Sequence, residues 1–138
     1  MDLGNQVLKL CQDGMRAEAQ GRPADARALF EQAWASRTDD YDACVAAHYL
    51  ARCQDDPEEV LRWNQEALRR ADAVGDGRVA TFYPSLHLGV ALANERLGDA
   101  AAARAAVERA TEHLDVLPTD AYGEQLRAAV ADGLRRLN

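Results

Sequence analysis

The chain carries 138 residues, 28 of them alanine, with 15 arginines against a single lysine and 23 acids against 16 bases. A length of this order fits one domain, residues 1–138, which buries about 68% of the surface of its unfolded chain and needs no disulfide or metal as a staple. A net charge of −7 and a pI near 4.9 argue against a phosphate-binding surface and hence against nucleic acid as partner, and no apolar run approaches the ~18 residues of a membrane span.

The amino end, Met1-Asp2-Leu3-Gly4-Asn5-Gln6, has an acid where a secretory leader has a basic region, so the reading predicts no export signal. Cys11, Cys44 and Cys53 are odd in number and lie in apolar, helix-like surroundings. They read as reduced packing residues of a cytoplasmic protein.

Hydrophobic spacing and end signals predict helices near 2–20, 23–37, 39–54, 57–74, 79–97, 99–115 and 119–137. In the first, Leu3, Val7, Leu10, Gly14 and Ala17 recur three or four apart, as on one helical face. Gly21 and Gly98 fit helix C-termini, where a left-handed residue is needed. Asp56, Pro57 and Glu59 read as an N-cap, a first-turn proline and a capping-box acid. Pro84 conflicts with a helix that begins at 79: either that helix starts at Tyr83 or it bends there. The last segment carries Tyr122, Leu126, Ala129, Val130, Leu134 and Leu137 on one side and reads as a cap over the end of a stack.

Three segments superpose: Gly21–Ala26, Asp55–Val60 and Gly98–Ala103. Each is a turn that starts a helix, and each is followed by a larger and then a small residue: Phe30 and Ala33, Asn64 and Ala67, Val107 and Ala110. With a helix before each turn, every copy is a helix, a tight turn and a second helix. This arrangement resembles the tetratricopeptide repeat family, with small residues in the first helix of each pair (Gly14 and Ala17; Ala47 and Ala51; Ala91). In the second copy Asn64 stands in place of the aromatic and His48 in place of a small residue, and Ala73 to Tyr83 read as an insert before the third. The expected fold is all-α: a helical-repeat superhelix of antiparallel helix pairs with about seven helices. Repeats fall near 7–40, 41–74 and 84–117, with a capping helix near 119–137.

Chemistry is sparse. The chain has no Gly-rich phosphate loop following a strand, no His-Glu-x-x-His, no nucleophile elbow and no Cys-x-x-Cys. Cys44 and His48, four apart, offer two potential metal ligands where a closed zinc site needs four, so a packed thiol and a hydrogen-bonded histidine is the preferred reading. His87 and His113 stand alone in the sequence. Trp34, Trp63, Phe30 and Tyr41 read as packing residues. The reading is therefore a non-enzymatic protein with no cofactor and no metal.

Charge concentrates between Asp39 and Glu59, where seven acids face only Arg52. Acids at helix N-termini are stabilised by the macrodipole, and an acidic rim that selects a basic partner is the second reading. The family resemblance implies that the first helix of each pair lines a concave, partner-binding groove. Carried onto this chain, that face is Leu8, Gln12, Met15 and Glu18; then Asp42, Val45, Tyr49 and Arg52; then Ser85, Leu88, Leu92, Glu95 and Arg96. The basic set with which one branch of the family clamps a carboxylate terminus is missing from it. The expected function is a protein–protein interaction module that holds a peptide or helix with at least one basic group in this groove. Self-association through Leu126, Val130 and Leu134 of the last helix, as a homodimer, and a small sensory domain for a diffusible peptide are the alternatives.

Overall fold

The computed structural model describes residues 5–137, which form an all-α structure with seven α-helices and no strand among the described residues. They are α1 (Gln6–Ala19), α2 (Pro23–Ala35), α3 (Asp40–Arg52), α4 (Pro57–Val74), α5 (Tyr83–Arg96), α6 (Ala100–Thr111) and α7 (Ala121–Leu137), with 3-10 turns at Gly77–Phe82 and Leu114–Val116. No helix among them is long and apolar enough to cross a membrane. The start expected at residue 2 lies outside the described residues.

Short polar side chains set the helix starts. Asn5 accepts from the Leu8 amide, Asp39 from Asp42, Asp56 from Glu58 and Asp99 from Ala102, so orphan N–H groups at four helix ends find a carboxylate or amide oxygen. Gly21 and Gly98 follow α1 and α5 at φ +73° and +83°, and the amides two residues past each C-cap, Arg22 and Asp99, return to Ala17 O and Asn94 O at 2.9 Å. That is the left-handed C-terminal turn the two glycines predict.

Two expected boundaries shift. The fifth helix starts at Tyr83, not 79, because the preceding residues wind as a 3-10 turn capped by Asp76, and Pro84 then sits at the first helical turn where its missing N–H costs nothing. The sixth ends at Thr111 instead of 115, with the chain tightening into the Leu114–Val116 turn.

The core is serial. Val7, Leu10, Cys11, Phe30, Val45 and Leu50 join α1, α2 and α3; Cys44, Ala47, Ala67, Ala71, Val79 and Leu86 join α3, α4 and α5; Leu88, Ala91, Val107 and Val130 join α5, α6 and α7. Trp34, Tyr41, Trp63 and Phe82 pack against both the first cluster and the second, and the two tryptophans meet edge to face at 5.0 Å. Alanine dominates the contacts because small side chains let helix backbones approach while keeping helix propensity high.

Gly14 is where this matters most. A methyl there would overlap the fully buried Phe30 ring, whose Cδ1 lies 2.8 Å away.

The last helix is held by specific polar contacts. Asp120 accepts from the Gly123 amide at 2.9 Å, and the Arg127 guanidinium donates to the carbonyls of Leu114, Leu117 and Pro118. At its other end Arg136 pairs with Glu95 of α5 at 2.9 Å. Of the face expected to carry self-association, Leu126 and Val130 pack inward in the third cluster, whereas Leu134 is exposed. A Cβ at Gly123 would overlap the Pro118 carbonyl, with its carbon 3.0 Å away. Gly123→Ala therefore releases the start of α7, and hydrogen exchange of its amides rises selectively while α1 to α3 keep their protection.

Candidate functional site

An open groove of about 510 Å³ lies between α3, α5 and α7 with α4 as its floor. His48, Ala51 and Arg52 form one wall, Ser85 and Gly89 the opposite one, Val60 and Asn64 the base, and Tyr122 closes one side. None of these eight residues is acidic.

Each side chain is placed by its helix. His48 and Arg52 lie four apart on α3, and Ser85 and Gly89 lie four apart on α5, so each pair forms one stripe facing the groove. Asn64 is 5% exposed; its Nδ2 donates to Val60 O at 2.9 Å, and a Cβ at Gly89 would lie 2.6 Å from its Oδ1. Glycine at 89 is thus the residue that leaves space for the Asn64 amide.

The His48 ring packs edge-on against Tyr49 and Phe82, at 4.9 and 5.6 Å between centroids. Burial pushes its pKa down to about 4, and the neighbouring Arg52 charge adds to the shift. The imidazole is therefore neutral at pH 7, able to donate and accept a hydrogen bond but not to supply charge. The hydrogen bonds among the described residues include none to its ring, which departs from the hydrogen-bonded histidine read from the sequence. Arg52 donates from Nη2 to Glu18 of α1 at 3.0 Å, and its guanidinium lies 5.5 Å from the Tyr49 ring centre.

A depressed histidine pKa couples to stability. Between pH 6.5 and 4 the unfolded chain binds a proton at position 48 that the folded one refuses, so stability falls as pH drops through that window. The expected loss from this group is on the order of 2–3 kcal/mol, and urea titrations at stepped pH show it removed in His48→Leu.

Of the groove residues expected from the sequence, Arg52 and Ser85 line this one. Asp42, Val45 and Leu88 are buried, at 5%, 3% and 7% exposure, and present nothing to a partner. The Asp42 carboxylate accepts from Asn5 Nδ2 and from the amide and hydroxyl of Thr38. Val45 and Leu88 belong to the core. Tyr49 is half-buried and stacks on Phe30 at 5.2 Å, so its truncation would disturb the core as well as any surface. Leu8 packs against the first core cluster. Glu18 is paired with Arg52, Glu95 with Arg136, and Arg96 donates to Asp55 O at 2.9 Å. Gln12, Met15 and Leu92 are exposed but do not line the groove.

His48, Ala51, Val60, Asn64, Gly89 and Tyr122 are the lining residues the sequence reading did not assign to a site. For Asn64 the signal was present, a polar residue where the repeat pattern has an aromatic.

Most of the acidic stretch has structural employment. Asp39 and Asp56 cap helices, Asp40 pairs with Arg70 at 2.9 Å and Glu59 with Arg62 at 2.8 Å. Elsewhere, Cys44 is buried with its thiol pushed up to about 12 by burial, and no three metal-ligating side chains converge among the described residues. His87 and His113 do not stand alone in space: their rings stack at 5.5 Å, Tyr83 stacks on His113 at 4.8 Å, and the Tyr83 hydroxyl donates to Asp72 at 2.7 Å.

No family model matches the chain, and neither a curated protein nor a solved structure matches it.

Proposed function

We propose that this protein is a non-enzymatic interaction module of the cytoplasm, a helical-repeat stack of the tetratricopeptide kind that holds a segment of another protein between α3, α5 and α7. The serial core supports the repeat reading: three clusters, each joining a helix pair to the next helix, are what a stack of similar units produces. The two left-handed glycine turns after α1 and α5 and the small residue under Phe30 agree with it.

One observation carries the binding reading. Asn64 is a polar group, 5% exposed, at the base of an open groove, with its amide seated against Gly89. One of its N–H groups is taken by Val60 O and no buried side-chain polar atom among the described residues lacks a partner, so what Asn64 offers a ligand is the amide edge that lines the groove. The lining contains a neutral imidazole, an ion-paired arginine and the Ser85 and Tyr122 hydroxyls, and among the described residues no hydrogen bond joins His48 to either hydroxyl, which favours binding over catalysis.

The test uses two exposed positions. Tyr122 is 51% exposed and Arg52 is exposed, so Arg52→Glu and Tyr122→Ala leave the fold intact by circular dichroism. Both lose the protein that wild type enriches from its host's lysate; retention of that protein by both variants contradicts the reading.

A further inference from the structure

We infer that the partner segment places an acidic side chain in the groove, on Arg52, with its main chain on Asn64. The inference rests on the groove being the binding site and names what it takes.

Charge complementarity is local. The chain as a whole is strongly acidic, yet no carboxylate lines the groove, and the acid nearest Arg52, Glu18, is already paired with it. At physiological ionic strength the screening length is about 8 Å, so the groove's own charges outweigh the distant ones. A basic side chain would meet Arg52, and the acid beside it, Glu18, is already engaged by that guanidinium.

Arg52 is free to take a second carboxylate. Its side chain is 48% exposed, and among the described residues its only hydrogen bond leaves from Nη2. A guanidinium has five N–H donors in a planar fork, so the remaining edge fits a carboxylate. His48 beside it is neutral and competes with no charge.

Asn64 supplies the second contact. One N–H goes to Val60 O, which leaves its other N–H and Oδ1 as a donor and acceptor pair. That pair complements the C=O and N–H of a peptide unit, and its recognition is indifferent to sequence. Specificity then falls to Arg52, with the Ser85 and Tyr122 hydroxyls at the sides.

The experiment follows the amide signals of Ser85, Gly89 and Tyr122 by nuclear magnetic resonance during titration with N-acetyl, C-amidated tripeptides Ala-Glu-Ala, Ala-Gln-Ala and Ala-Lys-Ala, and with N-acetyl-Ala-Ala bearing a free carboxylate. The Glu peptide shifts these signals saturably, the Gln peptide binds about tenfold more weakly because a charged hydrogen bond is lost, and the Lys peptide does not bind. Arg52→Gln brings the Glu peptide down to the level of the Gln peptide, and Arg52→Lys restores part of the difference. Equal binding of the Gln or Lys peptide overturns the inference while leaving the groove as a binding site. Binding of the free-carboxylate peptide alone overturns it in favour of a chain end. Shifts from none of the four, or only outside the groove, remove both the inference and the groove reading.

Discussion

Gly14→Ala destabilises the protein by about 1–3 kcal/mol, although alanine for glycine inside a helix ordinarily stabilises by up to about 1 kcal/mol. The sign reverses because the added methyl has nowhere to go. It would overlap the Phe30 ring, which is fully buried and stacked on Tyr49 at 5.2 Å. The ring is held between α1 and α3, so relief requires the helices to separate. Shortening Phe30 to leucine removes the overlap, and Gly14→Ala with Phe30→Leu loses less stability than the two single changes added together. Urea denaturation of the four proteins in a double-mutant cycle measures this coupling. Additive losses would mean that the two residues do not share the space described.

Asp42→Ala costs about 3 kcal/mol, the scale of losing hydrogen bonds to a buried charge. Its carboxylate gathers Asn5 from the start of α1 and both the amide and hydroxyl of Thr38 before α3, so one side chain ties two helix ends together. Asp42→Asn keeps one acceptor oxygen and falls between wild type and alanine. Asn5→Ala removes a cap and one of the three bonds and costs about 1 kcal/mol. A change within about 0.5 kcal/mol for Asp42→Ala, the range of ordinary surface positions, would contradict this account.

Much of the architecture was legible because its signals are local. The Asp56 and Pro57 start, the left-handed turns at Gly21 and Gly98 and the periodicity of Val7, Leu10, Gly14 and Ala17 act within one or two turns of chain, and the structure follows each of them; Glu59 does not close the expected capping box, because its carboxylate pairs with Arg62 and Asp56 accepts from the Glu58 amide instead. Pro84 left two readings open, a start at Tyr83 or a bend, and the structure takes the first; the 3-10 turn ahead of it depends on Val79 and Phe82 packing against α3 and α4, which no local pattern states.

The groove was less legible because helix faces turn by about 100° per residue. On α5 the expected face ran through Ser85, Leu88 and Leu92, whereas the groove stripe is Ser85 and Gly89; a one-residue error past the first position exchanges a core leucine for a groove glycine. On α3 the expected face took Asp42 and Val45, which the neighbouring helices cover, in place of His48. Tyr122 joins the groove from a helix far along the chain, and its position depends on the Arg127 contacts that dock α7.

The most direct measurement of the binding site is photo-crosslinking from a benzoylphenylalanine placed at position 122, beside the groove, and at position 104, on the exposed outer side of α6. Position 122 is predicted to capture one segment of a partner protein, identified by the crosslinked peptide, and to lose it when Arg52 is changed to Glu. Position 104 captures nothing in common with it. The same partner captured at 104, or capture at 122 that Arg52→Glu leaves unchanged, would place binding outside the groove and contradict the proposed site.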